Sequence, residues 1–193
     1  MARPREFNED DVLDQACEVF WCQGYEASSL PDLLDATGLS RGSLYKAFGS
    51  KHELYLKSLS RYAQEGRRIL ARTLNESPSV KSGLRDLLRL MAENATREGP
   101  RRGCFVINSA VEMGNRDARV RELLRAHERA NEEAIASALR RGIASGEIGK
   151  HVTPEAFAKT LTLVIAGLQV GGKSTLTRTE AYRTIESVLK LLD

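Results

Sequence analysis

Apolar residues recur every three or four positions along nearly the whole chain of 193 residues. This spacing puts them on one face of a helix and therefore predicts helical structure. No segment alternates apolar and polar residues between hairpin turns, so no strand is predicted. The expected fold class is all-α. The pattern predicts nine helices, over about residues 8–24, 29–37, 41–48, 50–73, 80–96, 102–113, 117–143, 154–170 and 178–192.

The second and third predicted helices are short and are separated by a tight turn. Ser28 is placed to cap the first of them, and Gly38 stands where that helix must stop, because glycine adopts a left-handed conformation at little cost. Leu44 and Phe48, four residues apart, would anchor the second helix. Such a pair is typical of a helix-turn-helix, whose second helix reads DNA with its polar face. The side chains left outward on that helix are Arg41, Ser43, Tyr45 and Lys46.

The residues after Gly38 read L-S-R-G-S-L-Y-K-A-F-G-S-K-H-E-L and resemble the end of the DNA-binding domain of TetR-family transcriptional repressors. One departure is Lys46-Ala47, where the family often has two histidines. Lysine can replace a phosphate-contacting histidine, whereas any contact from Ala47 is lost. Residue types and spacings agree at Ala16, Phe20, Gly24, Tyr25, Ser28, Gly38, Leu39, Ser40, Arg41, Gly42, Ser43, Leu44, Tyr45, Phe48, Ser50, Lys51 and Leu54, so the resemblance covers about residues 8–56.

The resemblance implies a helix-turn-helix DNA-binding domain over residues 1–50. A helical domain over residues 51–193 would bind an effector and dimerise. The implied function is that of a ligand-responsive repressor, not an enzyme, which binds a palindromic operator as a homodimer and is released by a small, mostly apolar effector. A dimer is also expected because one helix-turn-helix contacts few bases. An activator or architectural protein without a small ligand stays an open alternative.

Carried over position by position, the motif assigns roles toward DNA. Arg41, Ser43 and Lys46 would point into the major groove, while Tyr45 and Lys51 would hold phosphates. The serines at the N-terminus of the preceding helix would also bind phosphate. The residues assigned to DNA binding are Arg5, Ser28, Ser29, Arg41, Gly42, Ser43, Tyr45, Lys46 and Lys51.

The net charge of the chain is weakly basic, at +3, but residues 1–60 carry six Lys and Arg against ten Asp and Glu. This acidic excess counts against nonspecific DNA binding and is compatible with specific binding if the cations share one face. Arg3 and Arg5 form a basic arm, which either enters the minor groove or is a disordered tail.

Other features bound the location and the chemistry. The three cysteines are too few and too scattered for a disulfide framework, and no signal peptide precedes the first helix, so a cytoplasmic protein is expected. The longest apolar stretch, 161–170, is too short to span a membrane. His52, His127 and His151 do not cluster with the cysteines, so neither a metal site nor a cofactor is predicted.

A rival motif lies near the C-terminus. Residues 167–174, G-L-Q-V-G-G-K-S, fit the phosphate-binding pattern G-x-x-x-x-G-K-[ST] and follow an apolar run. A nucleotide hydrolase would need further parallel strands and a magnesium-binding Asp, and the chain offers neither. We interpret this segment as the end of a helix followed by an exposed loop.

Cys104 starts a predicted helix and follows Arg101 and Arg102, and both cations and a helix N-terminus favour a thiolate. The segment R-G-C-F-V-I-N also resembles one found in some TetR-family members, a few of which sense electrophiles through a cysteine there. The alternative is an inert core thiol. The residues assigned to an effector pocket, with Asn108 and Gln169 as its polar contacts, are Tyr62, Met91, Cys104, Phe105, Asn108, Met113, Leu163 and Gln169.

The last two predicted helices each carry an apolar stripe. Two such helices and their symmetry mates could form a four-helix bundle between protomers, and the resemblance points to the same interface. The alternative is that the stripes close the core of the monomer. The residues assigned to the dimer interface are Phe157, Leu161, Val164, Leu168, Tyr182, Ile185, Val188 and Leu189.

Overall fold

A computed structural model of the chain describes residues 7–99 and 101–193. That part of the chain contains nine α-helices and no strand, which confirms the all-α fold class. None of these helices combines the length and the apolar character needed to cross a bilayer. A 3-10 turn, Lys190–Leu192, follows the last helix. The helices are α1 Glu9–Gln23, α2 Leu30–Thr37, α3 Arg41–Phe48, α4 Lys51–Glu76, α5 Val80–Ala95, α6 Phe105–Met113, α7 Ala118–Ala144, α8 Pro154–Gly172 and α9 Arg178–Leu189.

The N-terminus of α2 is fixed by a reciprocal cap. The Ser29 hydroxyl accepts a hydrogen bond from the backbone N–H of Asp32 at 3.2 Å, and the Asp32 carboxylate accepts one from the N–H of Ser29 at 2.8 Å. Gly38 ends the helix at a φ of 63°, in the left-handed region. The prediction that Ser28 caps this helix is wrong, because Ser28 is buried and its hydroxyl donates to the carbonyl of Gly24.

Two later helices differ from the predicted bounds. α6 begins at Phe105 rather than at residue 102, because Gly103 has a φ of 67° that interrupts a helix. α8 runs on to Gly172, so most of the G-x-x-x-x-G-K-S segment is helical and no strand precedes it within the described residues. The segment therefore lacks the strand-and-loop geometry of a phosphate-binding site.

The buried apolar residues form two clusters. One, which we call the head cluster, joins α1, α2 and α3 to the first half of α4, to α6 and to the start of α7. The other, the body cluster, joins the end of α4 to α5, the rest of α7, α8 and α9. Packing therefore divides within α4 and α7, whereas the division of the chain at residue 50 stays a prediction. α6 packs with the DNA-binding helices.

Tyr55 lies at the centre of the head cluster. Its side chain is fully buried, and its hydroxyl donates to Ser109 Oγ of α6 at 2.7 Å. Its ring lies 5.1 Å from that of Phe20 and 5.7 Å from that of Phe105. Burial raises the pKa of Tyr55 to about 12, so it is a neutral packing residue that ties α1, α4 and α6 together.

Candidate nucleic-acid interface and regulatory contacts

The helix α3 is short, capped and held by two apolar anchors. The Ser40 hydroxyl accepts from the N–H of Ser43 at 3.2 Å, and Leu44 and Phe48 are buried. On the opposite face Arg41, Tyr45 and Lys46 are exposed, and the Arg41 guanidinium lies 5.7 Å from the centre of the Tyr45 ring. One face of the helix thus presents two cations and a phenol hydroxyl, which are the groups that contact phosphates and base edges.

Smaller residues shape the approach to this face. Gly42 is exposed, and a Cβ there would meet nothing closer than Ser40 Oγ at 4.0 Å, so the backbone of α3 is open to a close approach. The Ser43 hydroxyl lies 3.0 Å from that of Ser40. Lys51 begins α4, with its Nζ 4.6 Å from the centre of the Tyr25 ring. These residues remain predicted DNA contacts.

The two serines before α2 fit a phosphate contact poorly. Ser28 is 1% exposed, so the structure contradicts its assignment to DNA. Ser29 is exposed, but its hydroxyl donates to the Asp32 carboxylate at 2.6 Å. Hydrogen bonds from Ser29 lower the pKa of Asp32, so a carboxylate already occupies this helix N-terminus. Arg3 and Arg5 lie outside the described residues.

Five acidic residues among the first 60 positions are paired with cations, three of which come from later in the chain. Arg61 of α4 contacts Asp10 at 2.8 Å and Asp14 at 2.6 Å. Two further ion pairs join Arg102 to Glu18 and Arg119 to Glu53, and Lys57 contacts Glu9 at 3.0 Å. These pairs neutralise much of the acidic excess away from α3.

The C-terminal end of α6 and the N-terminal end of α7 each carry a carboxylate that contacts the DNA-binding part. Glu112 accepts hydrogen bonds from the backbone N–H groups of Tyr25 and Glu26, each at 2.9 Å. Asp117, the N-cap of α7, lies 2.6 Å from Nε2 of His52 at the start of α4. The sequence reasoning missed both contacts, which fasten α6 and α7 to the elements that position α3.

Cys104 is the N-cap of α6 and is half-buried beside aromatic residues. The Tyr62 hydroxyl lies 3.8 Å from its Sγ, and the Trp21 ring lies 5.1 Å from that of Tyr62. Burial, and then the neighbouring Cys104, raise the pKa of Tyr62. The two cations expected to favour a thiolate have other partners, because Arg101 donates to the carbonyl of Ser174 at 2.7 Å and Arg102 pairs with an α1 carboxylate.

The other residues assigned to the effector pocket lie in several places. Phe105 and Met113 are buried in the head cluster with Tyr62 beside them, whereas Met91 packs against the body cluster. Asn108 donates to the carbonyl of Arg102 at 2.9 Å and accepts from Lys173 at 3.1 Å, so it links α6 to the end of α8. Gln169 is buried and donates to the carbonyl of Met91 at 3.1 Å. Leu163 is 62% exposed, so its assignment to an internal pocket is wrong.

The apolar stripes of α8 and α9 mostly face inward. Leu161, Leu168, Ile185 and Leu189 are buried in the body cluster of their own protomer, so their assignment to the dimer interface is wrong. Phe157, Val164, Tyr182 and Val188 are half-buried against the same cluster. The large apolar side chains that stand out on this side of the fold are Leu163, Val170 and Leu191, which are 62%, 53% and 58% exposed.

One cleft is open to solvent and has a volume of about 380 Å³. It lies between the first halves of α4 and α7 and has an apolar floor with charged walls. No cluster of three potential metal ligands occurs among the described residues. The cleft is lined by Glu53, Leu56, Lys57, Ser60, Arg119, Glu122, Leu123 and Ala126.

Comparisons with known proteins agree with this geometry. A family model described as bacterial regulatory proteins, tetR family, matches residues 12–57, and one described as tetracyclin repressor-like, C-terminal domain, matches residues 81–187. The transcriptional repressor ComR of Escherichia coli (strain K12) is 31% identical over 172 residues, which cover 89% of this chain and 82% of ComR. YezE of Bacillus subtilis (strain 168), an uncharacterised regulator, is 31% identical over 195 residues and 100% of both chains.

A solved structure is similar over the full length as well. It contains a cysteine-substituted form of the TetR-family regulator CifR bound to 26 base pairs of operator DNA, with 32% identity, a TM-score of 0.87 and coverage of 100% of both chains. The chain described here therefore belongs to the TetR family of transcriptional regulators. It is a DNA-binding regulator of transcription whose family relatives include repressors.

Proposed function

We propose that this protein represses transcription by binding a palindromic operator as a homodimer, and that a small, mostly apolar effector releases it. The observation that carries this proposal is the outward face of α3, where Arg41, Tyr45 and Lys46 stand exposed opposite two buried anchors. The operator-bound form of CifR, similar along the whole chain, supports the same use of this face.

Each residue of this face has a role in the proposal. Arg41, Ser43 and Lys46 read base edges in the major groove, where arginine and lysine pair with guanine. Tyr45 and Lys51 hold phosphates on either side and set the register of the helix. Gly42 allows the backbone of α3 to come close to the DNA.

The dimer in this proposal uses the outer faces of α8 and α9 rather than their inward stripes. Leu163 and Val170 are seven residues apart, two turns along one face of α8, and Leu191 follows α9. Exposed apolar side chains at such spacing are suited to meet the same surface of a second copy across a two-fold axis. Four helices, two from each protomer, then form the interface.

Release in this proposal passes through α6. An effector that displaces α6 also moves Glu112 away from the backbone N–H groups of Tyr25 and Glu26, and so reorients the helix-turn-helix. DNA is released only if the effector binds more tightly to the geometry that does not fit the operator. Cys104, at the first turn of α6 and beside Tyr62, is one point where an electrophile could produce that displacement.

Operator binding is tested with DNA selected from genomic fragments by the wild-type protein, followed by gel-shift titration. The variant with Arg41, Tyr45 and Lys51 all changed to alanine is expected to lose affinity by about 100-fold or more, because several phosphate and base contacts disappear together. The control changes Arg72 and Lys150, two exposed cations that lie outside α3, α8 and α9, to alanine.

Three outcomes would overturn parts of this proposal. Wild-type affinity in the triple alanine variant would remove the assignment of α3. A reporter gene behind the selected operator that is switched on by the protein would contradict repression. Sedimentation of the DNA-binding form as a monomer would contradict the dimer.

A further inference from the structure

A polar layer separates the head cluster from the body cluster in the middle of α7. Leu124 belongs to the head cluster and Ile135 to the body cluster. Between them His127 and Asn131 continue the same helical face at intervals of three and four residues. Both are half-buried, whereas residues 128–130 are exposed. Two polar side chains thus stand where an uninterrupted core would have apolar ones.

The facing part of α4 changes character at the same level. Ala63 is buried in the head cluster and Leu70 in the body cluster. Gly66 and Arg67 lie between them, and Arg67 is close enough for its charge to act on His127. A glycine inside a helix lowers its stability, and a Cβ on Gly66 would have no atom within 4 Å. Gly66 is exposed, so this space is solvent, and the glycine makes α4 locally weak at the level of the polar layer.

The hydrogen bonds of this layer are incomplete. His127 Nε2 and Asn131 Nδ2 are 3.0 Å apart and bond to each other. His127 Nδ1 and Asn131 Oδ1 are buried and have no hydrogen-bond partner. Most buried polar atoms in proteins are paired, so two such atoms on adjacent turns call for an explanation.

The protonation state of His127 determines which unpaired atoms of His127 and Asn131 are hydrogen-bond donors and which are acceptors. Burial, and then the charge of Arg67, lower the pKa of His127 to about 4, so its ring is neutral near pH 7. If the Asn131 amide N–H donates to Nε2, the ring proton is on Nδ1, and the unpaired atoms are one donor and one acceptor. If the amide is turned round, Nε2 donates and the unpaired atoms are again one acceptor and one donor.

We infer that the effector is held in this polar layer and carries a hydroxyl group on an apolar skeleton. A hydroxyl both donates and accepts, so one group can satisfy His127 and Asn131 together. The apolar skeleton would rest against the ends of the two clusters, near Leu124 and Ile135. This inference rests on the proposed function, because it specifies the ligand and its site for the effector already proposed.

The position of the layer explains how binding of such a ligand would affect DNA binding. The head cluster contains α3, and the body cluster contains α8 and α9, where the proposed dimer forms. A ligand that enters between the clusters parts α4 from α7 at this level and tilts each head, α6 included, relative to its body. In this inference the tilt of the head, and not a separation of α6 from α1, changes the position of α3. In a dimer with fixed bodies, the spacing between the two copies of α3 then changes.

The first test needs no ligand. Changing His127 and Asn131 both to leucine replaces two unsatisfied polar groups by apolar ones of similar size. The urea midpoint of the double variant is expected at or above that of the wild type, with operator binding retained. The control is Tyr55→Phe, which breaks a satisfied buried hydrogen bond and should lower the midpoint. A double variant that is clearly less stable than the wild type, or unfolded, overturns the inference, because the pair would then be structural.

The second test compares four compounds with one skeleton: 1-naphthol, 1-methoxynaphthalene, naphthalene and 1-naphthoate. Calorimetric titration should show that wild type binds 1-naphthol about tenfold more tightly than the others, since the ether and the carboxylate only accept. The double leucine variant should lose this preference. A preference that persists in the variant, a stronger affinity for naphthoate, or no binding of 1-naphthol overturns the inference.

A DNA-release assay separates this inference from the proposed function. The labelled operator complex is exposed to the four compounds and to a wider set of small apolar molecules. If some compound releases wild type and the double leucine variant equally well, effector control stands and the polar layer is not its site. If no compound releases the wild-type protein, effector control itself fails.

Discussion

The contact of Glu112 with the turn after α1 yields a quantitative prediction. Glu112→Ala removes the acceptor of two backbone N–H groups at 2.9 Å. Hydrogen bonds to a charged group contribute roughly 1.5–3 kcal/mol when shielded, and water can reach this site, so about 1 kcal/mol each is appropriate. We therefore expect the free energy of unfolding to fall by about 2 kcal/mol. For a chain of this size the melting temperature should fall by roughly 4–8 °C.

Calorimetry of Glu112→Ala and Glu112→Gln measures this effect. Glutamine keeps one neutral acceptor oxygen, so its loss should be about half as large. The exposed Glu122 of α7 supplies a matched control, because its change to alanine removes a carboxylate that makes no contact with the turn after α1. If Glu112→Ala stays within about 0.5 kcal/mol of the wild type, the carboxylate does not hold the head, and the proposed route from α6 to α3 loses its support.

Three further predictions concern the interface, the thiol and the acid stability. Leu163→Glu should give a folded monomer in sedimentation, whereas Val111→Glu on α6 should leave the dimer intact, and a dimer in the first variant would contradict the interface. Cys104→Ser should abolish DNA release by reactive carbonyls and quinones while Cys22→Ser does not; unchanged release would leave Cys104 as packing. A backbone amide of α7 lowers the pKa of Asp117 from its ordinary value of 3.8. The stability that the Asp117 carboxylate contributes is therefore present above pH 3.8 and is lost as the pH falls through the lowered pKa. In the variant Asp117→Asn the melting temperature should depend less on pH below about pH 4, and an unchanged pH dependence would contradict this.

The sequence predicted the helices well because helical periodicity is a local property. Leu44 and Phe48 are buried as their spacing indicated, and Gly38 ends α2 in the left-handed region. The prediction placed the cap of α2 at Ser28, one position before the actual cap, because Ser28 and Ser29 have the same capping chemistry. Only the folded path of the chain shows which of the two is buried.

Contacts between distant segments were beyond sequence reasoning. Glu112 and Tyr25 are 87 residues apart, and no local pattern connects them. The stripes of α8 and α9 predicted a buried face correctly, but periodicity does not state what covers that face. Leu161 and Ile185 are covered by their own protomer. The sequence reasoning considered His127 only as a possible metal ligand and rejected that role. Its incomplete hydrogen bonding with Asn131 depends on the packing of α4 against α7.

The ion pairs between the acidic residues of the head and Arg61, Arg102 and Arg119 have a consequence for the search for an operator. A regulator in the cell competes with millions of nonspecific sites, and its attraction to them comes from positive charge. Here the acidic residues remain in the head, and the cations of α3 form a small patch rather than a broad field. Few copies of the protein are then held on unrelated DNA. Under the proposed function, a small number of dimers would then suffice to keep one operator occupied, and the occupancy would respond quickly to an effector.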